Sequence, residues 1–545
     1  MTDPIHHSLF SRSQVARMGD DAVVWPAWVP RWLTIAGIGL FSSACGLTDS
    51  VAISPPQTIP ANPPKGEALA HVYCESCHLF PSPDLLDKRT WANGALRKMA
   101  PLLGVAHLNL ENRADGKFLA EANLFPPSPI LAEADWQAIV RYYLDSAPEN
   151  ALPQGSRLPI STNLDLFRAE PLTDSHFTPG TTLVRIDAVE HRLLLGDARQ
   201  KQLHFADSDG RWQKSVPVAS APVALANDGQ TLYVSLIGNV FPTDEKSGRL
   251  VAFTPTTAGG YESSPVLADL KRPTDCIAVD LNADGRKDLV VTQFGNYLGR
   301  VSWFENLGGL RFNEHPLLEN PGGLRSVVTD LDGDGLPDLL ILMAQAREGL
   351  YWFRNLGGGR FSNTPLLQFQ PAFGSTYFEL ADFNGDGLPD VLATNGDNGE
   401  YASCFKRYHG IRIYLNDGHQ GFKESWFFPL NGAFKAIARD FDGDGDLDVA
   451  AISYFPDYEH SPEESFVYLE NKGGLQFEPH TLAEGTAGRW ITLDAGDIDG
   501  DGDIDIVLGS FLDGPPSTPI PATVRKSWAS RNVAALLLRN ATKRK

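Results

Sequence analysis

Two sets of residues in this sequence have the type and spacing to do chemistry. The first is Cys74-Glu75-Ser76-Cys77-His78. Two thiols one helical turn apart can add to the two vinyl groups of one porphyrin while the adjacent imidazole reaches the iron from the same face, and C-x-x-C-H is the spacing that c-type haem attachment requires. A thioredoxin-like redox pair would leave the histidine unexplained and has no βαβ pattern around it; a zinc half-site lacks its second half. The second set is acidic. Five loops share D-x-[DN]-x-D-G-x-x-D: Asp280, Asn282, Asp284 and Asp288; Asp330, Asp332, Asp334 and Asp338; Asp382, Asn384, Asp386 and Asp390; Asp440, Asp442, Asp444 and Asp448; Asp497, Asp499, Asp501 and Asp505.

Oxygen side chains at loop positions 1, 3, 5 and 9 converge on one centre, and glycine at position 6 permits the sharp turn, so hard ligands are presented to Ca²⁺. An EF-hand needs Glu at position 12, where this chain has Val291, Ile341, Ala393, Ala451 and Leu508, each in a short apolar run. The expectation is about five calcium-bound β-turns that rivet the structure and do no chemistry. Five dications would offset roughly half of the net charge of −21.

The loops recur at intervals of 50, 52, 58 and 57 residues. An apolar strand follows each, a third strand ends in Asn, and a fourth begins six residues later with Phe: Asn306 with Phe312, Asn355 with Phe361, Asn416 with Phe422, Asn471 with Phe477. Four strands per repeat of about 50 residues is the pattern of a propeller blade. Two units without acidic loops precede these, around 183–213 and 224–266, which makes seven. Pro316 and Pro365 fall four residues after their Phe, on an edge strand where proline is tolerated. Phe167-Arg-Ala-Glu-Pro171 repeats that spacing, so residues 165–173 are expected to supply the last blade's missing strand and close the ring. Residues 161–545 resemble FG-GAP/VCBS-repeat propellers, the architecture also found in integrin α-subunits. The acidic loops carry the resemblance; of the Phe-Gly and Gly-Ala-Pro signatures only Ala372-Phe373-Gly374 comes close.

Residues 65–147 are expected to be helical. In the stretch from Glu133 to Leu144, Trp136, Ile139, Val140, Tyr143 and Leu144 fall on one face. With the C-x-x-C-H motif this segment resembles a small class I cytochrome c domain. The resemblance implies one covalent haem c held by Cys74, Cys77 and His78, with a methionine on the far side of the iron. Met99 is the one candidate for that position, 21 residues after His78, and His107 is the alternative.

The elements that place these sets begin with an address. Leu33–Phe41 is a short apolar core after Arg31, and Ser42-Ser43-Ala44-Cys45 resembles a bacterial lipobox with Ser42 in the usual Leu position. Residues 1–45 therefore read as an export signal, with acylation of Cys45 and simple cleavage before it both open, and 46–64 as a Pro-rich linker. A second linker spans 148–160. Export to the periplasm or cell envelope agrees with haem attachment, and no apolar run reaches a membrane span. The excess of 67 acidic over 46 basic residues argues against nucleic acid as a partner.

The fold expected is thus multidomain: a small all-α cytochrome c domain followed by an all-β seven-bladed propeller with Ca-binding loops. Connections between second and third strands would gather polar and aromatic residues on the face away from the acidic loops: Gln293, Asn296 and Tyr297; Gln345, Arg347 and Glu348; Asn395, Asp397, Asn398 and Glu400; Lys406 and Arg407; Tyr454, Asp457 and Tyr458. Cys276 and Cys404 read as buried thiols. No nucleophile has an assignable base, so no catalytic residue is assigned. The function expected is electron transfer by an exported haem protein whose propeller docks a redox partner. A haem-containing dehydrogenase with a substrate site on that face, and a calcium-dependent adhesion or scaffolding propeller, are the alternatives.

Overall fold

The computed structural model describes residues 65–173, 179–257, 260–399, 404–514 and 519–542. The export signal, Cys45, the first linker and Glu400 lie outside the described residues. Seven four-stranded antiparallel sheets follow one another as blades. Blade 1 starts at Thr181, blade 2 at Pro222, blade 3 at Pro273, blade 4 at Gly323, blade 5 at Ser375, blade 6 at Ala433 and blade 7 at Trp490. The outer strand of blade 7 is Phe167–Thr173, paired with Val533–Asn540 from Phe167↔Asn540 onward. This closes the ring as the Phe-to-Pro spacing predicts, and leaves only short outer edges.

Burial explains the strand sequences. The second strand of a blade has a strand on each side and a blade against each face, so Asp288–Gln293 and Asp338–Met343 are buried at every residue, and Arg192–Asp197 of blade 1 at all but Arg192. Such strands read as continuous apolar runs. Outer strands such as Phe312–Leu318 have no buried residue, and Pro316 falls there at a register shift that removes no obligatory ladder bond. Carboxylates on inner strands tie neighbouring blades: Asp275 accepts from Ser326 N at 2.8 Å and Asp494 from Ile186 N at 2.8 Å.

The segment before the propeller forms helices Lys65–Tyr73, Leu96–Leu102, Gly116–Glu121 and Glu133–Ser146. Trp136, Ile139 and Tyr143 of the last helix are buried against Ala70, Trp91 and Leu96, the stripe expected from its periodicity. That core also takes in Ala372 and Tyr408 of the propeller. Asp84 pairs with Arg407, the Tyr408 hydroxyl donates to Leu85 O at 3.0 Å, and Asp244 N donates to Asp115 at 3.0 Å. All three propeller partners lie in connections between second and third strands, so the helices cover the face opposite the acidic loops.

The second linker is a strap. Arg157 donates to Pro429 O at 2.7 Å and pairs at 2.8 Å with the buried Glu464, while Ser161 forms a parallel bridge to His480. One element went unforeseen: helix Ala522–Arg531 interrupts blade 7 between its second and third strands, and Trp528 Nε1 donates to Thr486 O at 3.0 Å. No helix among the described residues is long and apolar enough to cross a membrane.

Candidate functional site

The C-x-x-C-H motif begins where the helix Lys65–Tyr73 ends. Cys74 N still donates to Ala70 O at 2.8 Å, and the Ser76 hydroxyl to Tyr73 O at 2.8 Å, so the loop turns tightly around the two thiols. Both cysteines are free; Cys74 is half-buried and Cys77 exposed. Burial pushes the Cys74 thiol up to about 11, opposed by the Tyr143 hydroxyl. His78 is half-buried, its Nδ1 lies 2.8 Å from Leu79 O, and burial holds its pKa below the ordinary value. A ring that spends Nδ1–H on a carbonyl is fixed in orientation and presents its Nε2 lone pair, the form in which a histidine binds a metal. The donor set of two free thiols and one oriented imidazole beside an apolar cluster fits a covalent haem. Met99 is half-buried on helix Leu96–Leu102, outside that apolar cluster, and His107 is exposed.

The acidic loops share one geometry. The first Asp accepts from the N–H of the glycine at position 6, at 2.9, 2.9, 2.8, 3.1 and 2.9 Å in chain order. Those glycines have φ between 84° and 99°, where a side chain would be strained. The last Asp is buried in all five. One oxygen accepts from the residue after the first Asp, and the other from the N–H of the Asn that ends the third strand, at 2.8, 2.7, 2.8, 2.8 and 2.9 Å. The repeated Asn was legible only as a strand end; it is the clamp on the loop's last carboxylate.

Three loops bring three carboxylates within 4.8 Å of one another: Asp330, Asp332 and Asp338; Asp440, Asp442 and Asp448; Asp497, Asp499 and Asp501. Burial, with neighbouring loop carboxylates adding to it, raises Asp448 and Asp505 to about 6. Crowded oxygens of this kind fit a hard dication. Arginine supplies part of the counter-charge at two of these clusters and in blade 3: Arg354 at Asp332, Arg539 at Asp499 and Arg286 at Asp284. Asp280, Asn282 and Asp284 in blade 3, and Asp382, Asn384 and Asp386 in blade 5, are held by bonds within their own loops.

The polar rim expected on the opposite face is largely closed. Gln293, Glu348, Asn395, Asn398, Lys406, Tyr454 and Tyr458 are buried, because the loops pack on one another and several lie under the helices. Glu348 accepts from Ser375 N and Oγ at 2.6 Å each, and burial raises it to about 7. A cleft of about 490 Å³ remains between Asp84 and Leu85 on the helical side and Phe373, Arg407 and Arg412 on blade 5. Cys276 and Cys404 are buried free thiols, as expected.

Residues 280–341, 330–393 and 440–508 match the FG-GAP-like repeat. No curated protein matches the chain in sequence. Among solved structures, the chain is similar to an Agrocybe aegerita lectin that recognises non-reducing terminal N-acetylglucosamine, at 17% identity and a TM-score of 0.35, covering 65% of this chain and 96% of that one. It is also similar to a streptogramin B lyase at 13% identity and a TM-score of 0.43, covering 69% of this chain and 98% of that one. Residues 280–393 and 440–508, with the five acidic turns they contain, are therefore similar to FG-GAP-like repeats, and they are set in a seven-bladed β-propeller.

Proposed function

We propose that the protein is an exported c-type haem electron carrier whose calcium-stabilised propeller docks a redox partner. The observation that carries this reading is the pair of free thiols Cys74 and Cys77 beside His78, whose Nδ1 is held by Leu79 O. Bound there, haem would supply a one-electron iron couple. Cys74 and Cys77 would fix it through thioether bonds, His78 Nε2 would hold the iron on one side, and Met99 or His107 would come to the other. The apolar cluster around Trp91, Tyr143 and Tyr408 would keep water from that side. Expression in a host that matures cytochromes c should give coloured protein whose mass exceeds the polypeptide by one haem, lost in Cys77→Ser. A colourless product of polypeptide mass overturns the reading.

A second reading, a calcium-dependent scaffold or adhesion propeller, is favoured by the three carboxylate clusters and the FG-GAP-like match. It needs calcium and no haem. Partner capture that survives Cys77→Ser but not chelation would select it over electron transfer.

A further inference from the structure

Blades 3 and 6 carry the same two side chains at equivalent places on their third and fourth strands. Glu305 and Glu470 each precede the Asn that ends a third strand; His315 and His480 each lie three residues after the Phe that opens a fourth. In blade 3 the residue opposite Glu305 is Asn313, and the group is closed on itself: His315 Nε2 lies 3.1 Å from Glu305 Oε2 and 3.2 Å from Asn313 Nδ2.

Blade 6 has Glu478 in place of that asparagine, directly opposite Glu470. Like charges facing each other across an antiparallel pair destabilise it. His480 has also lost its bonds. Both ring nitrogens are shut off from solvent, neither has hydrogen-bond geometry to any partner, and Nε2 stands 3.3 Å from Glu470 Oε2. An imidazole nitrogen and one oxygen from each glutamate lie within 4.8 Å of one another. Lys472 pairs with Glu470 from the exposed side and offsets one of the two negative charges. Glu470 also adds to the negative field on Asp442 of the nearby acidic loop.

We propose that Glu470, Glu478 and His480 form a second kind of metal site, for Zn²⁺ or a neighbouring first-row dication, distinct from the calcium turns. Calcium takes oxygen ligands, whereas one imidazole with two carboxylates suits zinc and leaves a fourth position for water. The metal would join strand Phe466–Asn471 to the four-residue outer strand Phe477–His480. Ser161, the residue just after the second linker, rests on that outer strand: its N donates to Pro479 O at 2.9 Å and its O accepts from Thr481 N at 2.7 Å. A cation here fastens the strap as well as the blade.

The test is calorimetric titration of ZnCl₂ into the full protein held in excess Ca²⁺. Glu478→Asn recreates the arrangement of blade 3 and so keeps the fold; His480→Ala removes the nitrogen; His315→Ala is the control. Wild type and His315→Ala should take up one more equivalent of zinc than Glu478→Asn or His480→Ala, and zinc should raise the melting temperature of wild type while leaving Glu478→Asn unmoved. The shared cysteines cancel in this comparison. Equal uptake by wild type and Glu478→Asn, or a wild-type equivalent that millimolar Ca²⁺ removes, overturns the proposal. Should His480→Ala fail to fold, Glu478→Asn decides alone.

Discussion

The buried carboxylate of Asp338 accepts the backbone N–H of Asn355 at 2.7 Å, and so fixes where the third strand of blade 4 ends. The same carboxylate takes Leu331 N at 3.2 Å and Trp352 Nε1 at 2.9 Å. Asp338→Ala strands two buried donors, Asn355 N and Trp352 Nε1, and the part-buried Leu331 N. At about 1–3 kcal/mol for each unsatisfied group, with partial relaxation, the loss should be about 3 kcal/mol or more in urea unfolding. A loss under about 1 kcal/mol would show that the clamp is incidental.

Chelation tests the acidic turns. A site with free Ca²⁺ at twentyfold its Kd contributes about 1.8 kcal/mol. EGTA should therefore lower the melting temperature, Ca²⁺ should restore it, and Mg²⁺ should restore less, because magnesium demands tighter octahedral geometry. Asp442→Asn with Asp444→Asn should shrink the response. An EGTA melt that matches the calcium melt removes the metal from the account.

Glu348 gives a pH dependence. Burial raises its carboxyl from the ordinary 4.5 to about 7. The folded protein therefore binds more protons than the unfolded chain across that interval, and this group's contribution is fully present below about pH 4.5 and lost as pH rises through 7. Glu348→Gln keeps an oxygen for Ser375 N and Oγ and has no proton to lose. Relative to this variant, wild type should lose stability from pH 5 to 8, by at most about 3 kcal/mol. Parallel melting curves across that range would contradict the assignment.

Arg157 and Glu464 test the strap. The pair is 17% and 2% exposed and 2.8 Å apart. Removing one partner of a buried pair leaves an uncompensated charge, which costs about 3–5 kcal/mol. Arg157→Ala should approach that loss, and Arg157→Ala with Glu464→Gln should recover part of it. No recovery in the double variant would place the loss in the Pro429 contact instead.

The sixth ligand of the proposed haem can be assigned by substitution. A thioether on the iron raises its potential relative to a second imidazole. Met99→Ala should lower the potential and change the visible spectrum, with His107→Ala silent in both; the reverse pattern assigns His107.

Much of this was legible because the propeller repeats itself. Five copies of one loop, with Asn and Phe at fixed distances, reveal strand ends that one copy would not, and Phe167 with Pro171 showed which segment closes the ring. Contacts between distant, unrepeated residues gave no such signal. Arg157 and Glu464 carry no mark of partnership in sequence, and neither do Tyr408 and Leu85. The polar residues from Gln293 to Tyr458 looked solvent-facing because polarity alone does not distinguish an exposed loop from a buried, hydrogen-bonded one. Helix Ala522–Arg531 was missed because it falls where the repeat's spacing predicts strand and turn. In the helical segment Cys74, Cys77 and His78 were plain from spacing, while nothing local distinguishes Met99 from His107.

Phe167 and Asn540 are neighbours in space yet about 370 residues apart in the chain. Synthesis from the amino end delivers residues 74–78 early and the final blade last. Residues 65–147 are thus complete while the ring is still open, and the pairing of Phe167–Thr173 closes the circle afterwards. The same seam pairs strands from opposite ends of the propeller, and it is where mechanical or thermal opening of the ring should start.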